Sequence, residues 1–196
     1  KLGITGGIAS GKTTAASYFN NKGAYIFNAD KESKKHLKLS LTLQKKIADI
    51  FGNDILTDNK INFTSLAKIA FLNKTNNSIL NGLLWPEIYL IINNTYQKIK
   101  EENKYKIFVV DAALIFEANY ISFFDYTLLI TASKNNRLNR GVNRTNISLE
   151  NIQNRIALQM SEENKKKLAD FTIINNGNID SLNKKLEKFY NTKLFK

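Results

Sequence analysis

Gly6, Gly11, Lys12 and Thr13 stand in the spacing Gly-x-x-x-x-Gly-Lys-Thr, with Gly7, Ile8, Ala9 and Ser10 between them. Residues of these types at this spacing suit the holding of a polyphosphate. Glycines let the backbone turn without side-chain obstruction, so several N–H groups can point at one anion, and a helix opening at Lys12 turns its positive end toward the same place. Lys12 would then reach the β- and γ-phosphate oxygens, and the Thr13 hydroxyl would help to hold Mg²⁺. A chance match would leave only a Gly-rich turn with a solvated lysine. The flanks argue against that: Leu2-Gly3-Ile4-Thr5 reads as a buried strand, and Thr14 to Phe19 continues as a helix with Ala15, Tyr18 and Phe19 on one side.

Two acids follow short apolar runs. Asp30 comes just after Ala24-Tyr25-Ile26-Phe27-Asn28, and Asp111 ends Ile107-Phe108-Val109-Val110-Asp111. In open α/β sheets ligands bind at the C-terminal ends of the strands, which puts both acids on the rim that carries the phosphate loop. Asp30 is a candidate catalytic acid–base group, or else the N-cap of a helix beginning at Lys31. Asp111 reads as the acid of a Walker-B-type strand, supporting Mg²⁺ or its waters opposite Thr13, or else as a turn residue. Ala112 to Glu117 is an apolar stretch ending in one carboxylate, suited to lining a pocket. Arg137, Arg140 and Arg144 are three and four apart and share a face if helical, with Arg155 further on. Such arginines can clamp phosphates from a mobile lid, or form a solvated face. His36, the one histidine, is expected at the surface without a metal, and Trp85 is expected to be packed.

The elements that must position these groups are five strands, at 2–5, 24–28, 107–111, 126–131 and 171–174, alternating with helices. Ser40 to Asn103 shows no clear strand and reads as helical, with stripes at Leu43, Ile47, Ile50 and Phe51, at Leu66, Ile69, Ala70 and Phe71, and at Ile88, Ile91, Ile92 and Ile99. Pro86 fits the first turn of the last of these helices. Asn175-Asn176-Gly177 marks a turn before a final helix through Tyr190.

At 196 residues and 43% hydrophobic content the chain can bury one sizeable core. The absence of cysteine excludes a disulfide framework and thiolate metal sites, and with no long apolar run or signal-like start the expected compartment is the cytoplasm. Because the chain opens at Lys1 almost on its first strand, an initiator Met and a few residues are expected before it. The net charge of +12 invites a nucleic-acid reading, yet the lysines are spread along helix faces with no nucleic-acid motif. A basic nucleic-acid-binding ATPase module therefore stands as one alternative. Another is a different P-loop kinase acting on a nucleoside or nucleoside monophosphate. A GTPase is disfavoured, since neither Asn-Lys-x-Asp nor an Asp-x-x-Gly after the Walker-B-type strand is found.

Over essentially its full length the chain resembles the dephospho-coenzyme A kinase family. The resemblance is carried by Thr5 to Thr14, Asn28-Ala29-Asp30, Leu83-Leu84-Trp85-Pro86, Asp111 to Glu117, Arg140 with Arg144, Arg155 to Gln159, and Ala169-Asp170 followed by Asn175-Asn176-Gly177. It implies an α/β P-loop NTPase fold of three layers and a single domain over 1–196. The five-stranded parallel core spans about 1–30, 104–136 and 167–196, a helical substrate-binding region about 31–103, and a small lid about 137–166. It implies transfer of the γ-phosphoryl of ATP, with Mg²⁺, to the ribose 3′-hydroxyl of dephospho-coenzyme A. By position, Asp30 would be the base; Lys12 and Arg140 would assist catalysis; Gly6 to Thr14, Arg144 and Asn175 would hold ATP. Thr5, Asp30, Lys34, Leu114 and Arg140 would face the acceptor, and Thr13 and Asp111 the metal. A monomer needing neither nucleic acid nor membrane is expected. Asn28, Trp85, Ala113, Thr145 and Ile174 stand where the family usually has Asp, His, Pro, Asp and Asp, and Lys34 where it commonly has Arg.

Overall fold

The computed structural model describes residues 1–144 and 148–194, the side chain of Arg144 excepted. In chain order the elements are β1 (Leu2–Thr5), α1 (Lys12–Asn21), β2 (Tyr25–Asn28), α2 (Ala29–Leu39), α3 (Leu41–Phe51), β3 (Leu56–Thr57), β4 (Lys60–Ile61), α4 (Phe63–Ala70) and α5 (Lys74–Glu102). These are followed by β5 (Phe108–Asp111), β6 (Tyr126–Thr131), α6 (Lys134–Arg144), α7 (Leu149–Leu158), α8 (Glu162–Leu168), β7 (Phe171–Ile174) and α9 (Ile179–Phe189). The chain divides into two compact units, one of Lys1–Asn28 with Tyr96–Lys196, the other of Ala29–Thr95.

The first unit is built on a five-stranded sheet in the order β2-β5-β1-β6-β7, every pairing parallel. Its inner strands are continuous apolar runs because helices cover both faces of such a sheet. Leu2, Ile4, Val109, Leu128 and Ile130 are buried together with Phe19 of α1 and Leu182, Leu186 and Phe189 of α9. Phe19 meets Phe189 edge to face at 6.3 Å between ring centroids. The register places Ile4 and Asn28 beside Asp111, and Thr131 beside Ile174. Since all five strands run the same way, the loop after β1, the ends of β2 and β5, and the segments after β6 and β7 share one rim. At the opposite end Asp170 ties β7 to β6, its Oδ2 accepting from the Thr127 backbone N–H and hydroxyl, both at 2.7 Å.

The second unit closes its own core around Leu37, Leu43, Ile47, Ile55, Ile61, Leu66, Ala70 and Leu80. Ile50, expected in the α3 stripe, is instead exposed. A buried amide stitches the unit together: Gln44 Nε2 donates to the Leu37 and Lys38 carbonyls at 3.0 Å, and its Oε1 accepts from Ile61 N–H at 3.1 Å. The unit corrects two sequence expectations. The stretch read as wholly helical contains the antiparallel hairpin β3–β4, whose loop residues Asp58 and Asn59 both have positive φ, 51° and 59°. That is the two-residue hairpin turn that Asp and Asn tolerate best. Pro86 lies well inside α5 rather than in its first turn. The helix instead starts behind Asn73, whose Oδ1 accepts from Asn76 N–H at 2.8 Å. A proline already holds a helical φ and can be carried at the loss of one backbone hydrogen bond.

Candidate nucleotide-binding site

Between β1 and α1 the chain runs through Gly6 to Gly11, with Ala9 and Gly11 in left-handed conformations at φ 58° and 106°. Gly11 is the N-cap residue of α1 and provides no side-chain cap, so the first-turn N–H groups of α1 are not consumed by a capping side chain. A side chain there would also collide with Asn175 Nδ2, which donates to the Ser10 carbonyl at 2.9 Å. Asn175, expected to touch ATP, is buried and buttresses the phosphate loop from behind, its own N–H donating to the Thr131 carbonyl at 2.7 Å. Thr5 is likewise buried, its hydroxyl donating to the Ala113 carbonyl at 3.2 Å. Lys12, Thr13 and Thr14 form the first turn of α1, with Thr13 exposed.

Thr13 and Asp111 line one open cleft of about 250 Å³ together with Ala16, Ser17, Asn20, Ile26 and Asn28. Asp111 is buried at the end of β5, and Asn28 Nδ2 donates to its Oδ2 at 3.3 Å. Among the described residues no cluster of three or more His, Cys, Asp or Glu could hold a metal ion. The two hard oxygen donors on the cleft nevertheless fit Mg²⁺, which is usually held by few protein ligands and completed by phosphate oxygens and water.

The segment carrying the arginines is helical, and Arg137 and Arg140 lie on α6. Arg140 spends its fork on the backbone, Nη1 donating to the Asn175 carbonyl and Nη2 to the Gly177 carbonyl, both at 2.9 Å. Arg144 is the last residue of α6; its side chain and Thr145 lie outside the described residues. Arg155 on α7 is partly buried, which lowers its guanidinium pKa from the usual value. Arg137, expected with Arg140 and Arg144 on a phosphate-clamping lid face, is buried against the phosphate loop and paired with Glu162 at 2.7 Å. Its i, i+3 spacing to Arg140 was the available signal, but Glu162 is too distant in sequence for any local pattern to pair them.

Ala112 to Glu117 does not simply line a pocket. Ala112, Ile115 and Phe116 are core residues, and Leu114 is half-buried. Glu117 Oε1 pairs with the fully buried Lys165 at 2.9 Å and accepts from Met160 N–H at 3.0 Å, so this segment is anchored to α8. Asp30 and Lys34 belong to the second unit, both exposed on α2. The helix begins at Ala29, so Asp30 sits inside its first turn rather than at the cap. His36 is not fully exposed; its Nε2 lies 3.4 Å from Glu87 Oε2 on α5.

No helix among the described residues is long and apolar enough to cross a membrane. A family model described as dephospho-CoA kinase matches residues 1–181. Dephospho-CoA kinase of Chlamydia felis is 36% identical over 190 residues, covering 97% of this chain and 94% of the relative. The crystal structure of a Thermus thermophilus protein shares the fold with a TM-score of 0.80 at 22% identity, over 98% of this chain and 96% of that one. Dephospho-CoA kinase from Campylobacter jejuni superposes with a TM-score of 0.68 at 30% identity, over 97% of this chain and 94% of that one. With its phosphate loop and parallel sheet, the chain therefore belongs to the dephospho-CoA kinase family.

Proposed function

We propose that this chain transfers the γ-phosphoryl group of ATP to the ribose 3′-hydroxyl of dephospho-coenzyme A, yielding coenzyme A. The observation that carries the reading is the juxtaposition of an uncapped helix N-terminus, the phosphate loop, and a cleft bearing Thr13 and Asp111, in a chain of this family.

Phosphoryl transfer asks little covalent chemistry of a protein; positioning and charge stabilisation do most of it. In this proposal the loop amides from Gly6 to Thr14 and the Lys12 ammonium hold the ATP phosphates. Thr13 and Asp111 would hold Mg²⁺, which when bound neutralises charge on the transferring group. Asp30, in the first turn of α2, accepts the proton of the attacking 3′-hydroxyl. Arg140 and Arg144 stabilise the charge of the moving phosphoryl, Arg140 with the N–H donors that its bonds to the Asn175 and Gly177 carbonyls leave over. Thr5, Lys34 and Leu114 contribute to the acceptor's seat, and Asn175 acts on ATP through the loop it supports.

The test is an acceptor panel with ATP labelled at the γ-position: dephospho-coenzyme A against nucleosides and nucleoside monophosphates, read by mass and by the position of the new phosphate. Label on the 3′-oxygen of dephospho-coenzyme A, with little on the others, is the expected result. Preferential labelling of a nucleoside or nucleotide would refute it.

A further inference from the structure

Arg137 is 5% exposed, and its guanidinium lies against the phosphate loop so closely that a Cβ on Gly7 would overlap its Nη1 and stand 2.6 Å from Glu162 Oε1. Gly7 therefore serves this close approach as well as the anion. Glu162 holds the guanidinium at 2.7 Å with one oxygen, while its other oxygen accepts from the hydroxyl of Thr131 at the end of β6. The Arg137 Nε is buried and has no hydrogen-bond partner.

Two features of this arrangement do not belong to a plain structural tie. A carboxylate touching a loop shaped for polyphosphate repels the ligand that the loop is shaped to hold. A buried guanidinium with a donor left over is a costly state unless some further acceptor completes it. Both are resolved if the guanidinium turns toward nucleotide phosphate when it arrives. We propose that Arg137 is a further nucleotide-phosphate contact, held at the loop in the nucleotide-free chain by Glu162, which competes with the phosphates for it. This rests on the kinase reading above and adds to it a residue and a counter-ion: the pair sets nucleotide affinity as a balance between Glu162 and the phosphate tail.

The balance predicts opposite signs for its two partners. Arg137→Gln removes a charge-assisted contact and leaves Glu162 facing the phosphates, so ATP binds about 10- to 100-fold more weakly. Glu162→Gln retains the reach to Thr131 and frees Arg137, so ATP binds more tightly, by several-fold. The double variant binds ATP better than Arg137→Gln alone. Each effect shrinks from ATP through ADP to AMP, because it acts on the phosphate tail.

The experiment is calorimetric titration of the full chain with ATP, ADP and AMP, with magnesium chloride, for the wild type, Arg137→Gln, Glu162→Gln and the double variant. Thermal melts of each check folding, and Arg137→Lys serves in place of Arg137→Gln if the latter does not fold. Tighter ATP binding by Glu162→Gln with weaker binding by the Arg137 variant supports the proposal. ATP binding by Glu162→Gln equal to or weaker than wild type overturns it, and a lowered melting temperature there marks the pair as a tie between α6 and α8. A wild-type chain that binds no ATP at all would overturn the kinase reading and this inference together.

Discussion

Lys12 is legible from spacing alone, because a phosphate loop needs its glycines and its lysine within a few residues of one another. Replacing it with alanine is expected to lower turnover by about 10²-fold or more, the scale of a lost electrostatic stabiliser, while the melting temperature stays near that of the wild type. Steady-state kinetics alongside thermal melts check this, and unchanged turnover would contradict it. Asp111 is legible for a different reason, as the acid that closes an apolar, largely β-branched run. Other residues of the site were not. Asn175 reads as a turn residue, yet its amide and backbone brace Ser10 and Thr131, a role set by the pairing of β6 with β7 rather than by its neighbours in sequence. Lys165 looks like one of a run of helix lysines, but it is fully buried on Glu117 and the Ala113 carbonyl. Partners so far apart in the chain leave no periodic trace, because only the folded sheet brings them together.

The parallel strands could be read from their apolar runs, and three of them, β1, β6 and β7, have the bounds expected. β3 and β4 escaped because each has two residues, too few for alternation to show, and only the Asp58-Asn59 turn marks them. The start of α5 was misplaced because Pro86 is a conspicuous first-turn residue while the actual cap, Asn73, is one asparagine among many. The second unit depends on Gln44, which holds α2, α3 and β4 in one network. Gln44→Leu keeps the volume but leaves buried backbone groups without partners, at about 1–3 kcal/mol for each group left unpaired. A fall of at least about 2 kcal/mol in urea unfolding is the expected outcome. A change within experimental error would mean that the amide is incidental.

Taken whole, the protein is a basic chain of net charge +12 whose lysines are spread over helix faces, which favours approach by polyanionic ligands without specifying one. One contribution to its stability at alkaline pH comes from Tyr18 of α1. Burial raises the Tyr18 phenol above its ordinary 10.0, partly opposed by Lys22, and hydrogen bonding to Glu187 raises Lys22 as well. A group whose pKa rises on folding stabilises fully below its unfolded value and loses that contribution as the pH climbs through the folded one. Stability is therefore expected to fall above about pH 10, and Tyr18→Phe to make that fall shallower in denaturant titrations across the range. An unaltered slope would show that the phenol does not contribute. The proposed activation of the 3′-hydroxyl by Asp30, for attack on ATP held by the loop, is read out by single-turnover transfer from pre-bound ATP to dephospho-coenzyme A, comparing the wild type with Asp30→Asn. The wild type should form the 3′-phosphate, and the variant should bind ATP equally well yet transfer about 10²- to 10⁴-fold more slowly. Transfer by Asp30→Asn at the wild-type rate, or phosphate appearing on another hydroxyl, would contradict the account.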